Sequence, residues 1–200
     1  LFLYAPVAVM VVFSFNSGGS VWVFEGFSFD WYKSIVFNST MLEALKRTLI
    51  IAVLSSLIST VLGTAAAVGI MDIRSRLAKR LVMTVTNIPM MNPDVVTGVS
   101  MMLLFVFIGQ ALKSSSYLNF YTILIAHITF NLPYVILNVL PKLRQTDKHL
   151  AEAAQDLGCP PIRAFFKVVL PEIMPGIVTG MIMAFTLSID DFVISYFTSG

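Results

Sequence analysis

The sequence predicts an all-α bundle of membrane-spanning helices, and three observations carry that reading. Its 200 residues are 57% hydrophobic and only 12% charged, whereas roughly a quarter of a soluble domain is charged. With 13 Lys plus Arg and 11 Asp plus Glu, the chain lacks the polar shell that a water-soluble fold of this length needs. Its apolar stretches approach the ~20 residues that cross a bilayer as a helix, and its basic residues collect in two loops between them.

Residues 1–15 (LFLYAPVAVMVVFSF) are apolar but short, as a first span lacking its start would be. The numbering opens on Leu1 inside this run and closes on Gly200 in mid-pattern, so the chain reads as truncated at both ends. Residues 16–43 are mixed and turn-rich and read as a loop, with Trp22, Trp31 and Tyr32 placed as interfacial aromatics. Residues 48–71 read as a second span rich in small residues that let helices approach.

Arg74, Arg76, Lys79 and Arg80 crowd the loop 72–80. Residues 81–109 are apolar but too long for one straight crossing. Pro89, Asn92, Pro93 and Asp94 predict a break there, because proline removes a backbone bond and clashes with the preceding turn. Residues 119–140 form another span, interrupted by Asn131 and Pro133, and residues 172–197 the last, opened by Pro171.

Between these two spans lies the most polar stretch, 141–171, with Lys142, Arg144, Lys148, Arg163 and Lys167. Placing 72–80 and 141–171 in the cytoplasm puts nine of the thirteen basic residues there, as the positive-inside rule favours. Lys46 and Arg47 oppose this orientation but are outnumbered, and they can snorkel to the interface. The expected location is thus a membrane, with lipid as solvent and these two loops on the cytoplasmic side. A net charge of +2 points to no nucleic-acid partner. The single Cys159 excludes an internal disulfide and reads as an inert thiol.

Within the polar loop, Leu150, Ala153, Ala154 and Leu157 fall at i, i+3, i+4 and i+7, the stripe of a short amphipathic helix. Gly158 follows where a C-cap belongs, and Pro160 and Pro161 stop the helix. Spacing alone allows two uses for the stripe: capping its own bundle or membrane surface, or seating a partner.

Three acidic residues lie in or beside apolar spans: Asp94, Asp190 and Asp191. Carboxylates at membrane depth are costly and usually face a polar cavity. The alternative is a solvated position at the outer boundary, since a span from Glu172 reaches Asp190 after about 27 Å. Stepping back from Asp190 by helical spacing meets Thr186, Met183, Thr179 and Gly176, a partly polar stripe. From Asp191 it meets Leu187, Ala184, Gly180 and Ile177. Asp190 is the better candidate for a translocation path and Asp191 for packing. Phe192, Tyr134 and Phe185 read first as lipid or core packing and only second as aromatic faces for a cation, and lone His127 reads as a hydrogen-bonded structural residue.

The run Glu152-Ala153-Ala154, Gly158, Val168 and Leu170-Pro171 resembles the EAA loop of binding-protein-dependent ABC importer permeases, with Val168 where that family prefers Ile. The resemblance implies the type I importer permease fold, about five spans visible and a sixth beyond Gly200. It also implies that Leu150, Glu152, Ala153, Ala154, Leu157 and Gly158 form a coupling helix seated on a cytoplasmic ATPase dimer.

Phe15-Asn16-Ser17, Gly26-Phe27 with Trp31-Tyr32, Asn92-Pro93-Asp94, His127 to Phe130 with Leu132-Pro133, and Thr186 to Asp191 resemble the spermidine/putrescine importer permeases along essentially the whole chain. That resemblance implies polyamine import with a second permease subunit and an extracytoplasmic polyamine-binding protein. The sequence holds no G-x-x-x-x-G-K-[ST] phosphate loop. The chain is therefore expected to be a non-catalytic subunit with no cofactor of its own, ATP and Mg being used by the partner ATPase. An importer of another small solute remains open. So does an ion-coupled secondary transporter, which broken spans and intramembrane acids also suit but which has no ATPase to dock.

Overall fold

Helices supply the regular structure of the described residues, joined by one isolated antiparallel bridge between Asn16 and Phe27. This computed structural model describes residues 4–18, 22–111, 113, 118–147 and 149–199; Lys148, counted among the basic loop residues, lies outside them. The chain divides into two compact units, Leu1–Arg47 and Thr48–Gly200.

In the first unit, α1 (Ala5–Phe13) and α2 (Asp30–Phe37) flank a folded connection. Asn16, 1% exposed, organises it. Its Nδ2 donates to the Val23 carbonyl at 2.8 Å, and its Oδ1 accepts the Glu25 N–H at 2.8 Å. The Trp31 indole donates to the Asn16 carbonyl at 3.0 Å, so this tryptophan is tied to the loop. Phe15 stacks on Phe27 at 5.2 Å and meets Phe29 edge-on. The stretch expected as loop over 16–43 thus contains α2 and the start of α3.

α3 (Ser39–Asp72) begins nine residues before the expected span. Its first turns are polar, held by an i,i+4 pair between Glu43 and Arg47 at 2.6 Å. In the second unit its buried face reads Ala52, Ser55, Ser56, Ser59, Thr60, Gly63, Ala67 and Ile70, a nearly continuous stripe of small residues. At Gly63 an added Cβ would lie 2.7 Å from a Val135 methyl, so only glycine lets α3 approach that closely.

α4 (Arg76–Met91) and α5 (Asp94–Ala111) meet at Asn92-Pro93, which locates the predicted break. Pro89 lies inside α4 and does not end it. α6 (Phe120–Gln145) starts on a capping box between Asn119 and Thr122 and runs unbroken through Pro133 and Pro141. The interruption expected at Asn131 and Pro133 does not occur. Both residues are buried, and packing of α6 against its neighbours offsets the bond that Pro133 lacks.

After α7 (His149–Asp156), the last long helix starts at Pro161, ten residues before the expected Pro171. It comprises α8 (Pro161–Ala164), a π-turn over Phe165–Val169 and α9 (Leu170–Asp190). It also ends seven residues before the expected 197, at Asp190, and the extended backbone of Asp191 separates it from α10 (Phe192–Thr198). Helices of 34, 18, 26 and 30 residues, at Ser39–Asp72, Asp94–Ala111, Phe120–Gln145 and Pro161–Asp190, are long and apolar enough to span a membrane. Among the described residues, the first stretch counted among five spans contributes α1, of nine residues.

α6 and α9 make the most extensive pairing, α10 packs on α5 and α6, and α4 leans on α6. Ala67, Ile70, Val135, Ile136, Val139, Leu140, Leu143, Ile173 and Ala184 form the main core. From Pro161 to Asp190 the helix is about 45 Å long at 1.5 Å per residue, so α7 and Asp190 belong to opposite ends of it.

Candidate functional site

At one end, α7 is built from local sequence. The Asp147 carboxylate accepts the His149 N–H at 2.9 Å and starts the helix. Gly158, at φ +84°, finishes it in the left-handed region that glycine enters without penalty. The Gly158 N–H reaches the Gln155 carbonyl at 2.8 Å and the Cys159 N–H the Ala154 carbonyl at 3.1 Å. These two bonds define a Schellman cap and satisfy carbonyls that would otherwise be orphaned.

The helix has two apolar edges. Ala151 and Ala154 turn partly inward, and Ala151 shares a cavity with Val68, Met71, Leu143, Phe165 and Val169. Leu150 and Ala153 are open, and Leu157 is 89% exposed. The predicted stripe therefore splits: Ala154 leans on the chain's own bundle, while Leu150, Ala153 and Leu157 stay uncovered. Glu152 projects from the exposed surface and pairs with His149 Nδ1 at 2.9 Å.

At the other end, the three acids come together. Asp94, Asp190 and Asp191 line one cavity with Phe130, Leu187, Phe192 and Val193, enclosing about 430 Å³ including the part open to solvent. Each carboxylate arrives by a different route. Asp94 opens α5, where the partial positive charge of a helix N-terminus favours it. Asp190 ends α9 and is exposed. Asp191 is half-buried: its Oδ1 accepts the Ile194 N–H at 2.9 Å and caps α10. Its Oδ2 is buried without a hydrogen-bond partner.

Thr186 and Thr179, placed on the same stripe as Asp190, do not line this cavity. Both are exposed, and their hydroxyls donate to the carbonyls of Ile182 at 2.9 Å and Pro175 at 2.8 Å within α9. Gly176, the last member of that stripe, instead lies on the packed side, where an added Cβ would meet the Asn138 carbonyl at 2.9 Å. Ala184 and Gly180, on the Asp191 stripe, are buried.

Of the three aromatic candidates, Phe192 reaches the cavity. Tyr134 packs on Phe130 at 5.6 Å, and Phe185 is not among the lining residues. Phe130 and Val193 are wall residues to which sequence reasoning gave no site role. Buried His127 bonds through Nδ1 to the Ile123 carbonyl at 2.9 Å and through Nε2 to the Ser195 hydroxyl at 3.4 Å, as expected of a structural residue.

Residues 59–200 match the family described as binding-protein-dependent transport system inner membrane component. Among individual proteins, the chain is 40% identical over 200 residues to the putrescine transport system permease protein PotI of Escherichia coli (strain K12), covering 100% of this chain and 71% of the relative. It is 35% identical over 199 residues to the spermidine/putrescine transport system permease protein PotC of Haemophilus influenzae, covering 100% of this chain and 75% of that one.

A crystal structure of a bacterial ABC transporter involved in the import of the acidic polysaccharide alginate superposes with a TM-score of 0.74, covering 100% of this chain and 72% of the other at 16% identity. That likeness establishes the fold as an ABC importer permease fold and bears out the architecture expected from the sequence. The chain is a multi-pass membrane protein, and it belongs to the family of binding-protein-dependent transport system inner membrane components.

Proposed function

We propose that the chain is the permease subunit of an ATP-driven importer of polyamines. The observation that carries this reading is the cavity where Asp94, Asp190 and Asp191 meet beside Phe130 and Phe192, with Asp191 Oδ2 lacking a donor. A flexible polycation brings ammonium donors that such carboxylates accept as charge-assisted hydrogen bonds, and aromatic faces add cation–π attraction. The names of the 40% and 35% identical relatives support the same cargo.

In this reading the loops 72–80 and 141–171 face the cytoplasm and the acidic cavity faces outward, in keeping with the basic residues near α7. The open edge of Leu150, Ala153 and Leu157 docks on an ATPase dimer, which supplies ATP and Mg chemistry. A second permease subunit completes the pathway, and an extracytoplasmic binding protein delivers the polyamine. The permease performs no covalent step. It offers a route of matched charge and transmits motion from α7 through the π-turn to α9.

Reconstitution with the ATPase, partner permease and binding protein tests this reading. ATP hydrolysis should rise when polyamine-loaded binding protein is added, and uptake should persist after proton and sodium gradients are collapsed at constant ATP. Gradient-driven uptake without ATP would return the assignment to a secondary transporter.

A further inference from the structure

Directly beneath the acidic cavity, three helices are joined by side chains that the coupling helix and the acids do not use. Asn131 of α6 donates its Nδ2–H to the Ser188 hydroxyl of α9 at 2.7 Å. The Ser188 and Ser55 hydroxyls, on α9 and α3, lie 2.9 Å apart. Ser55 also reaches the Ala52 carbonyl of its own helix at 3.3 Å. One assignment of protons satisfies the whole series: Asn131 donates to Ser188, Ser188 to Ser55, and Ser55 to Ala52. All three side chains are at most 2% exposed.

Inside an apolar bundle such bonds are directional and have no water to replace them. Around these bonds the buried faces of α3 and α9 carry small residues, and Gly63 of α3 and Gly180 of α9 both pack against Val135 of α6. Small surfaces permit close approach but resist rotation weakly, because they lack bulky side chains to interlock. Ser188 lies two residues before Asp190, at the last turn of α9, and its bonds fix the rotation of that turn. The Asn131 Oδ1 is buried without a hydrogen-bond partner, a cost against which the Nδ2 bond to Ser188 is set.

We propose that Ser188, held by Asn131 and Ser55, is a positioning residue for transport: it sets the rotation of the outer end of α9 and so directs Asp190 to the cavity and Asp191 to the α10 cap. Its role in transport rests on the polyamine-path reading above, but its role in setting the rotation does not. Ser188 touches no cargo and acts through the two acids that follow it.

The test uses the full complex in nanodiscs with Cys159→Ala as background. Thiol labelling by a charged, water-soluble reagent is measured at Asp190→Cys and, as a control at the far end of the helix, at Glu172→Cys. Adding Ser188→Ala or Asn131→Leu should change the labelling rate at 190 by about threefold to tenfold, the range expected for losing one hydrogen bond inside a membrane bundle. The rate at 172 should stay unchanged, and Ser188→Thr should restore the rate at 190.

With Asp190 intact, Ser188→Ala should lower maximal uptake at saturating binding protein while the ATPase still co-purifies. Ser55→Ala, which leaves the Asn131–Ser188 bond in place, is the milder variant should the others not fold. Labelling at 190 that stays within twofold across all folded variants overturns the proposal whatever the cargo. Altered labelling without altered uptake keeps the positioning of the helix end and overturns its role in transport.

Discussion

Asp191 Oδ1 accepts the Ile194 backbone N–H at 2.9 Å, so the carboxylate that follows α9 also starts α10. The same residue lines the acidic cavity, and its other oxygen is buried without a hydrogen-bond partner. Asparagine caps helices about as well as aspartate, while alanine does not. Asp191→Asn should therefore keep α10 in place and lose only charge, whereas Asp191→Ala should cost about 0.5–2 kcal/mol of stability. Thermal unfolding of the two variants, measured beside uptake, separates these roles. Equal destabilisation by both would mean that the cap does not depend on the side-chain oxygen.

Asp190 makes no comparable structural bond among the described hydrogen bonds of its side chain, so its charge can be removed without disturbing a helix end. In the polyamine reading, Asp190→Asn should reduce uptake roughly ten- to hundredfold at equal expression and saturating binding protein, as expected for loss of a charge-assisted contact. Asp94→Asn should act in the same direction. Combining the two should give less than the product of the separate losses, because both carboxylates face one cavity and one cation. Strict multiplication would place the two acids at independent steps.

At the opposite end, Gly158 occupies φ +84° with no atom within 4 Å of an added Cβ. The constraint is conformational, not steric crowding. Gly158→Val should undo the cap of α7, whereas Gly158→Asn should be tolerated better because asparagine enters the left-handed region more readily. Ala153→Arg leaves the cap intact and changes only the open edge. In pull-down and uptake assays, Gly158→Val and Ala153→Arg should each weaken ATPase association while the membrane bundle stays folded. Undiminished association in both variants would remove α7 from the docking surface.

The legible parts of this fold are those governed by neighbours in sequence. The Leu150–Leu157 stripe, Gly158 and the two prolines specify α7 almost alone. The break at Asn92-Pro93 follows from the chemistry of one ring. The α9/α10 break was not legible, because residues 172–197 read as one span with the two acids inside it; the break depends on Asp191 capping α10 and on α10 packing against α5 and α6.

The continuity of α6 was not legible for the converse reason: burial against α9 overrides the local penalty of Pro133. Helical phase separated Asp190 from Asp191, yet it placed Gly176 on the wrong stripe. Fourteen residues back from Asp190 at 3.6 per turn leaves an offset of about 40°, enough to move a residue onto the packed face. The Asn131–Ser188–Ser55 bonds link residues 57 and 133 positions apart, and no local pattern announces them.

Glycines in the bundle provide a graded test of the packing itself. At Gly69 an added Cβ meets nothing within 4 Å, so Gly69→Ala should gain the usual helix preference and stabilise by about 0.5–1 kcal/mol. At Gly180 the nearest atom is the Val135 Cα at 3.3 Å, and a shift of a few tenths of an ångström accommodates alanine. At Gly63 the obstruction is the Val135 side chain, at 2.7 Å. Gly63→Ala should cost about 1–3 kcal/mol, and Val135→Ala should recover little of that loss, because the Val135 Cβ that alanine keeps lies 2.8 Å from the added Cβ. At Gly176 the obstruction includes the Asn138 backbone carbonyl at 2.9 Å, which no side-chain change can remove. Gly176→Ala should therefore be the most damaging of the four and resist rescue by trimming Lys142. Thermal unfolding of the assembled complex in nanodiscs should rank the variants Gly69, Gly180, Gly63, Gly176 from most to least stable. A Gly176→Ala variant as stable as Gly69→Ala would show that α6 and α9 do not approach as closely in the membrane as their backbones do here.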